Sequence, residues 1–170
     1  MILVLAGLHG SGKSHLAQRV ARTFGWRTCI KRDLLKEFHI REGRGGDWVA
    51  WYRAQYASRG AYAVTRDILR FLPDDGHVIL DSVHNMVEWR AVRECHPSAL
   101  LALVVAPKAV RLARNGPEDA GLDAQRVRFW HEEGHQGCLA AESEWCFNGA
   151  GDAVTQDAEF MAFIYQHKWT

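Results

Sequence analysis

Nowhere does the 170-residue chain hold an apolar run long enough to cross a bilayer. The longest runs, Met1 to Gly7 and Ala99 to Pro107, fall far short of the ~20 residues a spanning helix needs, which excludes a transmembrane helix and a membrane partner. Cysteine is scarce as well. Cys29, Cys95, Cys138 and Cys146 form no C-x-x-C pair and lie in or beside apolar stretches, so reduced packing residues are expected in place of a disulfide framework or a metal cage. Proline occurs four times, and no repeat, low-complexity tract or Pro/Ser-rich linker breaks the chain. Nothing marks a domain boundary, so residues 1–170 are expected to form one domain. Met1 leads straight into an apolar run without a basic flank or a small-residue cleavage site. A secretory signal is therefore not expected, and the expected compartment is the cytoplasm, that of the host if a phage encodes the protein. No feature points to an obligate protein partner.

What is present fits an ordinary globular domain: 48% hydrophobic and 24% charged residues, with a net charge of only +1. The charge is unevenly spread. Residues 1–26 sum to +3 and 27–70 to +5, whereas 132–170 sum to −6, so an anionic partner would meet the first half of the chain. Sixteen of the 21 basic residues are arginine, whose planar fork suits phosphate.

Short continuous apolar runs at Ile2 to Ala6, Val78 to Leu80 and Leu100 to Val105, with a weaker one at Arg27 to Ile30, read as buried parallel strands. Helix-period segments separate them: Lys13 to Phe24, Asp47 to Leu72, Asn85 to Cys95 and Pro107 to Arg114. The last third predicts a long helix from about Asp123 to Ser143, a short strand near Trp145 to Phe147 and a helix after Thr155. The alternation predicts an α/β fold with helices on both faces of a parallel sheet.

Between the first strand and the first helix, Gly7-Leu8-His9-Gly10-Ser11-Gly12-Lys13-Ser14 fits G-x-x-x-x-G-K-[ST]. Glycines there let backbone N–H groups turn toward phosphate oxygens, the helix N-terminus adds partial positive charge, Lys13 reaches the β- and γ-phosphates and Ser14 ligates Mg²⁺. His9 lines the loop. ATP and Mg²⁺ are the expected cofactors. A magnesium site also needs a carboxylate, and Asp81, ending the Val78-Ile79-Leu80 strand, supplies one.

The second strand is followed by Lys31-Arg32-Asp33-Leu34-Leu35, which predicts Asp33 at the carboxyl edge of the sheet, where ligands of open α/β sheets bind. A carboxylate there can accept the proton of an attacking hydroxyl, an effect typically worth ~10²–10⁴ in rate. Asp33 therefore argues for an alcohol acceptor. Arg111 and Arg114, three apart on one helix face, and Arg126 and Arg128 beyond a polar stretch are arranged as the arginines of a mobile lid (about 111–128) that closes over ATP, excludes water and stabilises the transferring phosphoryl group. The segment of about residues 34–72 reads as a helical acceptor-binding insertion. It interleaves Trp48, Trp51, Tyr52, Tyr56 and Tyr62 with Arg41, Arg44, Arg53, Arg59, Arg66 and Arg70. At helical spacing such aromatics form a core stripe by default, yet basic residues with aromatics are also the equipment for gripping a nucleic-acid backbone and a displaced base.

The P-loop with Lys31-Arg32-Asp33-Leu34-Leu35 resembles the opening of small P-loop kinases of the nucleotide-kinase type, and the Arg32-Asp33 pair is similar to that of polynucleotide kinases, whose matching aspartate serves as base. From Val78 onward the chain resembles dephospho-CoA-kinase-like and nucleoside-monophosphate-kinase-like proteins: Asp81 with Glu88, Ala106-Pro107 with Arg111 and Arg114, Arg128 with Glu132, and Asn148-Gly149 carry the likeness. The resemblance implies a three-layer P-loop NTPase fold with a five-stranded parallel sheet in the order 2-3-1-4-5. His84 stands where that family usually has Arg, which argues against an acceptor phosphate gripped at this point. The layout also resembles phage enzymes that phosphorylate the hydroxymethyl group of 5-hydroxymethyluracil in DNA, with Arg32, Trp48, Trp51, Tyr52, Arg53, Arg59 and His84 as acceptor contacts. The reading is thus an ATP-dependent kinase acting on DNA containing a modified base, with a nucleotide, dephospho-CoA or other small nucleotide-like acceptor as the alternative and a nucleotide-dependent binding switch as a further one. The segment His131-Glu132-Glu133-Gly134-His135 matches H-E-x-x-H, but Gly134 weakens the helix such a zinc site needs and no further ligand follows at suitable spacing.

Overall fold

A computed structural model describes residues 1–43, 45–116, 119–132 and 135–167. Arg44, and the Glu133 and Gly134 of the H-E-x-x-H segment, lie outside the described residues. Among those described, no group of three or more acidic, histidine or cysteine side chains is placed to hold a metal ion, and no helix is long and apolar enough to cross a membrane.

Five parallel strands, β1 (Ile2–Ala6), β2 (Arg27–Ile30), β3 (Val78–Asp81), β4 (Leu100–Val105) and β5 (Trp145–Asn148), form one sheet in the order β2-β3-β1-β4-β5. This is the order the resemblance implied. Successive side chains of a strand point to opposite faces, so each central strand feeds two cores. Ile2, Val4, Ala6, Val78 and Leu80 pack with helices α2 (Lys31–Arg41), α3 (Trp48–Ile68), α4 (Met86–Cys95) and α7 (Gln136–Glu142). Leu3, Leu5, Ile79 and Val104 pack with α1 (Lys13–Phe24) and α8 (Ala153–Gln166), the latter through Phe160 and Phe163. Two further helices, α5 (Lys108–Asn115) and α6 (Ala120–Glu132), follow β4.

Several boundaries differ from the sequence expectation, each for a local reason. The long helix of residues 123–143 is two, α6 and α7, because His135 takes a left-handed conformation (φ 49°) that an α-helix of L-residues cannot continue through. Asp47, Asn85 and Asp152 cap α3, α4 and α8, their side chains accepting from Val49, Glu88 and Thr155 N–H at 2.8, 2.9 and 2.8 Å. Helical geometry breaks inside α3 at Gly60 (φ 78°). The cysteines are free, but only Cys29 packs against a core; Cys95, Cys138 and Cys146 are exposed, which corrects the packing role expected of them.

Candidate active site

The P-loop is built by close approach. Gly7, Gly10 and Gly12 adopt φ of 144°, 74° and 100°, a region side chains disfavour, and Gly12 leads directly into α1. A Cβ on Gly7 would stand 2.3 Å from the Val104 carbonyl oxygen, so glycine is required for packing as well as for conformation. Lys13 Nζ donates to the Gly7 and Leu8 carbonyls at 2.8 and 3.0 Å, curling the side chain over the loop. Burial lowers the pKa of Lys13, an effect partly offset by the nearby Asp81 carboxylate. Ser14 Oγ donates to Asp81 Oδ2 at 2.6 Å. Two residues 67 apart in sequence thus join a hydroxyl and a carboxylate, the oxygen donors that suit a hard divalent cation such as Mg²⁺.

Two clefts meet at this point. One, of about 420 Å³, is lined by His9, Gly10, Gly12, Lys13, Ser14 and Arg114. The other, of about 500 Å³, shares His9, Lys13 and Ser14 and is closed by Lys31, Arg32, Trp48, Tyr52, Asp81 and His84. A larger cavity of about 630 Å³ opens beside Met1, Arg66 and His96 at the amino ends of the strands, but ligands of open α/β sheets bind at the carboxyl ends, where the P-loop lies.

Arg114 ties the P-loop to the turn after β5: its guanidinium donates to the Gly10 carbonyl at 3.1 Å and to the Gly149 carbonyl at 2.8 Å. Gly149 itself leaves no room, since a Cβ there would lie 1.7 Å from the Ser11 carbonyl oxygen. Gly149→Ala must therefore push the P-loop out of place by more than an ångström. ATP binding measured by calorimetry should weaken while the circular dichroism spectrum stays unchanged.

Other residues do not stand where the sequence suggested. Asp33 follows the carboxyl end of β2 by three residues, in the first turn of α2, which begins at Lys31 and where a carboxylate favours the helix dipole. Half exposed, it is paired with Arg32 (3.4 Å) and Lys36 (3.7 Å) and is absent from the lining of either cleft. Arg111 is buried, with its guanidinium on Asp123 (3.0 Å) and on the Ala106 carbonyl (3.0 Å). It ties α5 to α6 and does not share a cleft-facing side with Arg114. Arg128 is exposed beside Glu132 (3.6 Å). Arg126 instead lines a cavity with Gly7, His9, Lys13 and His84 and is held by Asp119 at 2.7 Å. Residues two apart on a helix project about 200° from each other, so Arg126 and Arg128 cannot both face that cavity.

The insertion divides its aromatics. Trp48 and Tyr52 reach the second cleft, whereas Trp51 packs edge-on to Phe38 (5.3 Å between centroids) and beside His39. Among its described arginines, Arg41 is paired with Glu37, Arg59 and Arg70 share Asp67, and Arg53 is exposed. What sequence reasoning missed is that Lys31, Tyr56, His84 and Glu88 join in a buried network behind the second cleft. Lys31 Nζ donates to Glu88 Oε1 (2.7 Å) and lies 3.1 Å from His84 Nδ1, while Tyr56 OH donates to the same Glu88 oxygen (3.1 Å) and the His84 N–H to the other (2.7 Å).

The sheet order, with the glycine loop between β1 and α1, is that of the P-loop NTPase fold. Shikimate kinase from Acinetobacter baumannii, solved in complex with shikimate, superposes with a TM-score of 0.63 at 11% identity over 98% of this chain and 93% of that one. Shikimate kinase from Bacteroides thetaiotaomicron gives 0.65 at 13% identity, covering 99% and 98%. TT1252 from Thermus thermophilus gives 0.69 at 17%, covering 98% and 97%. In sequence the chain is 29% identical over 113 residues to a UPF0200 protein of Pyrobaculum aerophilum, a match spanning 66% of this chain and 63% of that protein, less than two thirds of its length. No family model matches the chain.

Proposed function

We propose that the protein is an ATP-dependent phosphotransferase that moves the γ-phosphoryl group of Mg·ATP onto a hydroxyl of a small acceptor. The observation that carries this reading is the shared wall: His9, Lys13 and Ser14 line both clefts, so a triphosphate in the first would present its terminal phosphate to an acceptor in the second. The cradle's inward-turned backbone and the Ser14–Asp81 pair fit a magnesium nucleotide, and bound magnesium supplies charge neutralisation across the phosphates. In this reading Lys13, Arg114 and Arg126 stabilise the phosphoryl charge. Arg128, to which the sequence assigns the same work, would first have to leave Glu132. Asp33 accepts the proton of the attacking hydroxyl once it turns from Arg32 and Lys36. The similar fold of kinases named for shikimate, a small hydroxylated acid, supports a small acceptor.

A 5-hydroxymethyluracil within DNA is a second reading, favoured by Trp48 and Tyr52 on the cleft wall, between which a base turned out of the duplex could stack. The test is γ-labelled ATP with shikimate, 5-hydroxymethyl-2′-deoxyuridine, dephospho-CoA, nucleoside monophosphates, and DNA with and without 5-hydroxymethyluracil. Label on a free hydroxyl compound is the expected result. Label on modified DNA alone would replace the first reading by the second, and ATP binding without transfer to any acceptor would overturn both in favour of a nucleotide-dependent switch.

A further inference from the structure

Three spaces meet at the P-loop: the two clefts and a cavity of about 220 Å³ lined by Gly7, His9, Lys13, His84 and Arg126. Among the described residues, only Lys13 and His9 line all three. Lys13 is explained by the phosphates it reaches; His9 is not. The loop itself turns the ring outward. Leu8 packs its side chain against the core and its carbonyl accepts from Ser11 N–H at 3.1 Å, so the next side chain, His9, is left exposed over the cradle. The charges around it are mixed. Arg126 comes from α6 and is held by Asp119 at 2.7 Å, while Asp123 is committed to Arg111. Lys13 lies on two main-chain carbonyls, and the Asp81 carboxylate near it is engaged by Ser14. Farther along the clefts stand Arg114 and His15 in the first, and Arg32 with Asp33, Lys31 with Glu88, and His84 in the second. Partial burial and then Arg126 lower the pKa of His9, with Asp119 opposing and Lys13 adding to the fall. The protein's own groups therefore leave the ring neutral above about pH 6.5.

We propose that His9 takes one proton from solvent as the terminal phosphate of the nucleotide arrives, and as an imidazolium donates to an oxygen of that phosphate beside Lys13 and Arg126. The inference rests on the phosphotransferase reading for its nucleotide. The physical cause is a change of sign. Lys13 and Arg126 disfavour a further positive charge on the loop, but an anion within hydrogen-bonding reach of all three favours the charged imidazole, and its hydrogen bond to a phosphate oxygen is of the strong, charge-assisted kind. Histidine suits this work because a small change of surroundings moves its charge across neutral pH. A lysine in its place would repel Lys13 and Arg126 at all times, whereas the imidazole gains its charge only with the phosphate. The proton returns to solvent when the phosphorylated acceptor departs, so the cradle holds this extra cation only while a terminal phosphoryl group lies in it.

Calorimetric titration of the whole protein with Mg·ATPγS at pH 7, without acceptor and in two buffers of different ionisation enthalpy, counts the protons taken up on binding. The expected result is about half a proton or more for the wild type and almost none for His9→Gln. Mg·ADP, which lacks the terminal phosphate, should draw in clearly less, and its binding by His9→Gln checks that the loop is intact. His84→Gln should keep the uptake, because His84 stays neutral in this range. The dissociation constant of His9→Gln for Mg·ATPγS should be about tenfold weaker at pH 7, the worth of a charge-assisted hydrogen bond, and the gap should narrow toward pH 9 as the wild-type ring loses its proton. Binding without proton uptake, uptake undiminished in His9→Gln, uptake lost in His84→Gln, or equal uptake with Mg·ADP would each overturn the proposal while leaving the nucleotide site in place. Failure to bind either nucleotide would defeat the phosphotransferase reading and this inference with it.

Discussion

Asp33→Asn should leave ATP binding intact and reduce phosphoryl transfer by about 10²–10⁴, the range of a general base. The substitution keeps the shape of the side chain and removes its capacity to take a proton. It also loosens the pairs with Arg32 and Lys36, but both are exposed ion pairs, and such pairs contribute about 0–1 kcal/mol. Stability should therefore hardly move, and a loss of rate cannot be ascribed to unfolding. Single-turnover transfer with calorimetric ATP titration on the same preparation separates the two steps. Since Asp33 does not line either cleft in this conformation, full activity of the variant would mean that it only steadies the start of α2, and would make Asp81 the next carboxylate to replace.

What could be read from the sequence was whatever depends on near neighbours. The P-loop is one such feature: three glycines, a lysine and a serine in eight positions dictate its backbone, and Lys13 and Ser14 stand where that spacing puts them. The strands were legible from continuous apolar runs, because a sheet covered on both faces leaves no polar side to alternate. Helix phase was not. Whether Arg126 or Arg128 meets the phosphate cavity turns on where α6 starts, and no capping signal in the sequence fixes that start to a single residue. Arg111 was read as free because its partner, Asp123, lies on another helix. The largest omission, the Lys31–Glu88 pair with His84 and Tyr56, joins residues up to 57 positions apart. The departure at His84 was visible as a letter, but its physical meaning needed the ammonium beside it.

That buried pair also governs stability, and Glu88→Ala should unfold the protein more readily than any surface change. Removing one partner leaves the Lys31 ammonium buried and uncompensated, which costs about 3–5 kcal/mol. For a chain of this size each kcal/mol shifts the melting temperature by roughly 2–4 °C, so a fall on the order of 10 °C is expected in a thermal melt followed by circular dichroism. Replacing both partners, as in Lys31→Met with Glu88→Leu, should cost much less, because no charge is then stranded; equal losses in the single and double variants would show that packing, and not the ion pair, is at stake. Acid should act through the same groups. Burial pushes the Glu88 carboxyl upward, but the Lys31 ammonium outweighs it and keeps its pKa below the ordinary value, so its contribution is complete above about pH 4.5 and is lost as pH falls through the lowered folded value. His84 binds its proton in the unfolded chain near pH 6.5 but in the folded one only at about 3, so the unfolded state gains protons first and stability declines as pH drops through that window. A melting temperature that stays level between pH 6.5 and pH 4.5 would contradict the part assigned to His84, and one that stays level below pH 4.5 the part assigned to Glu88.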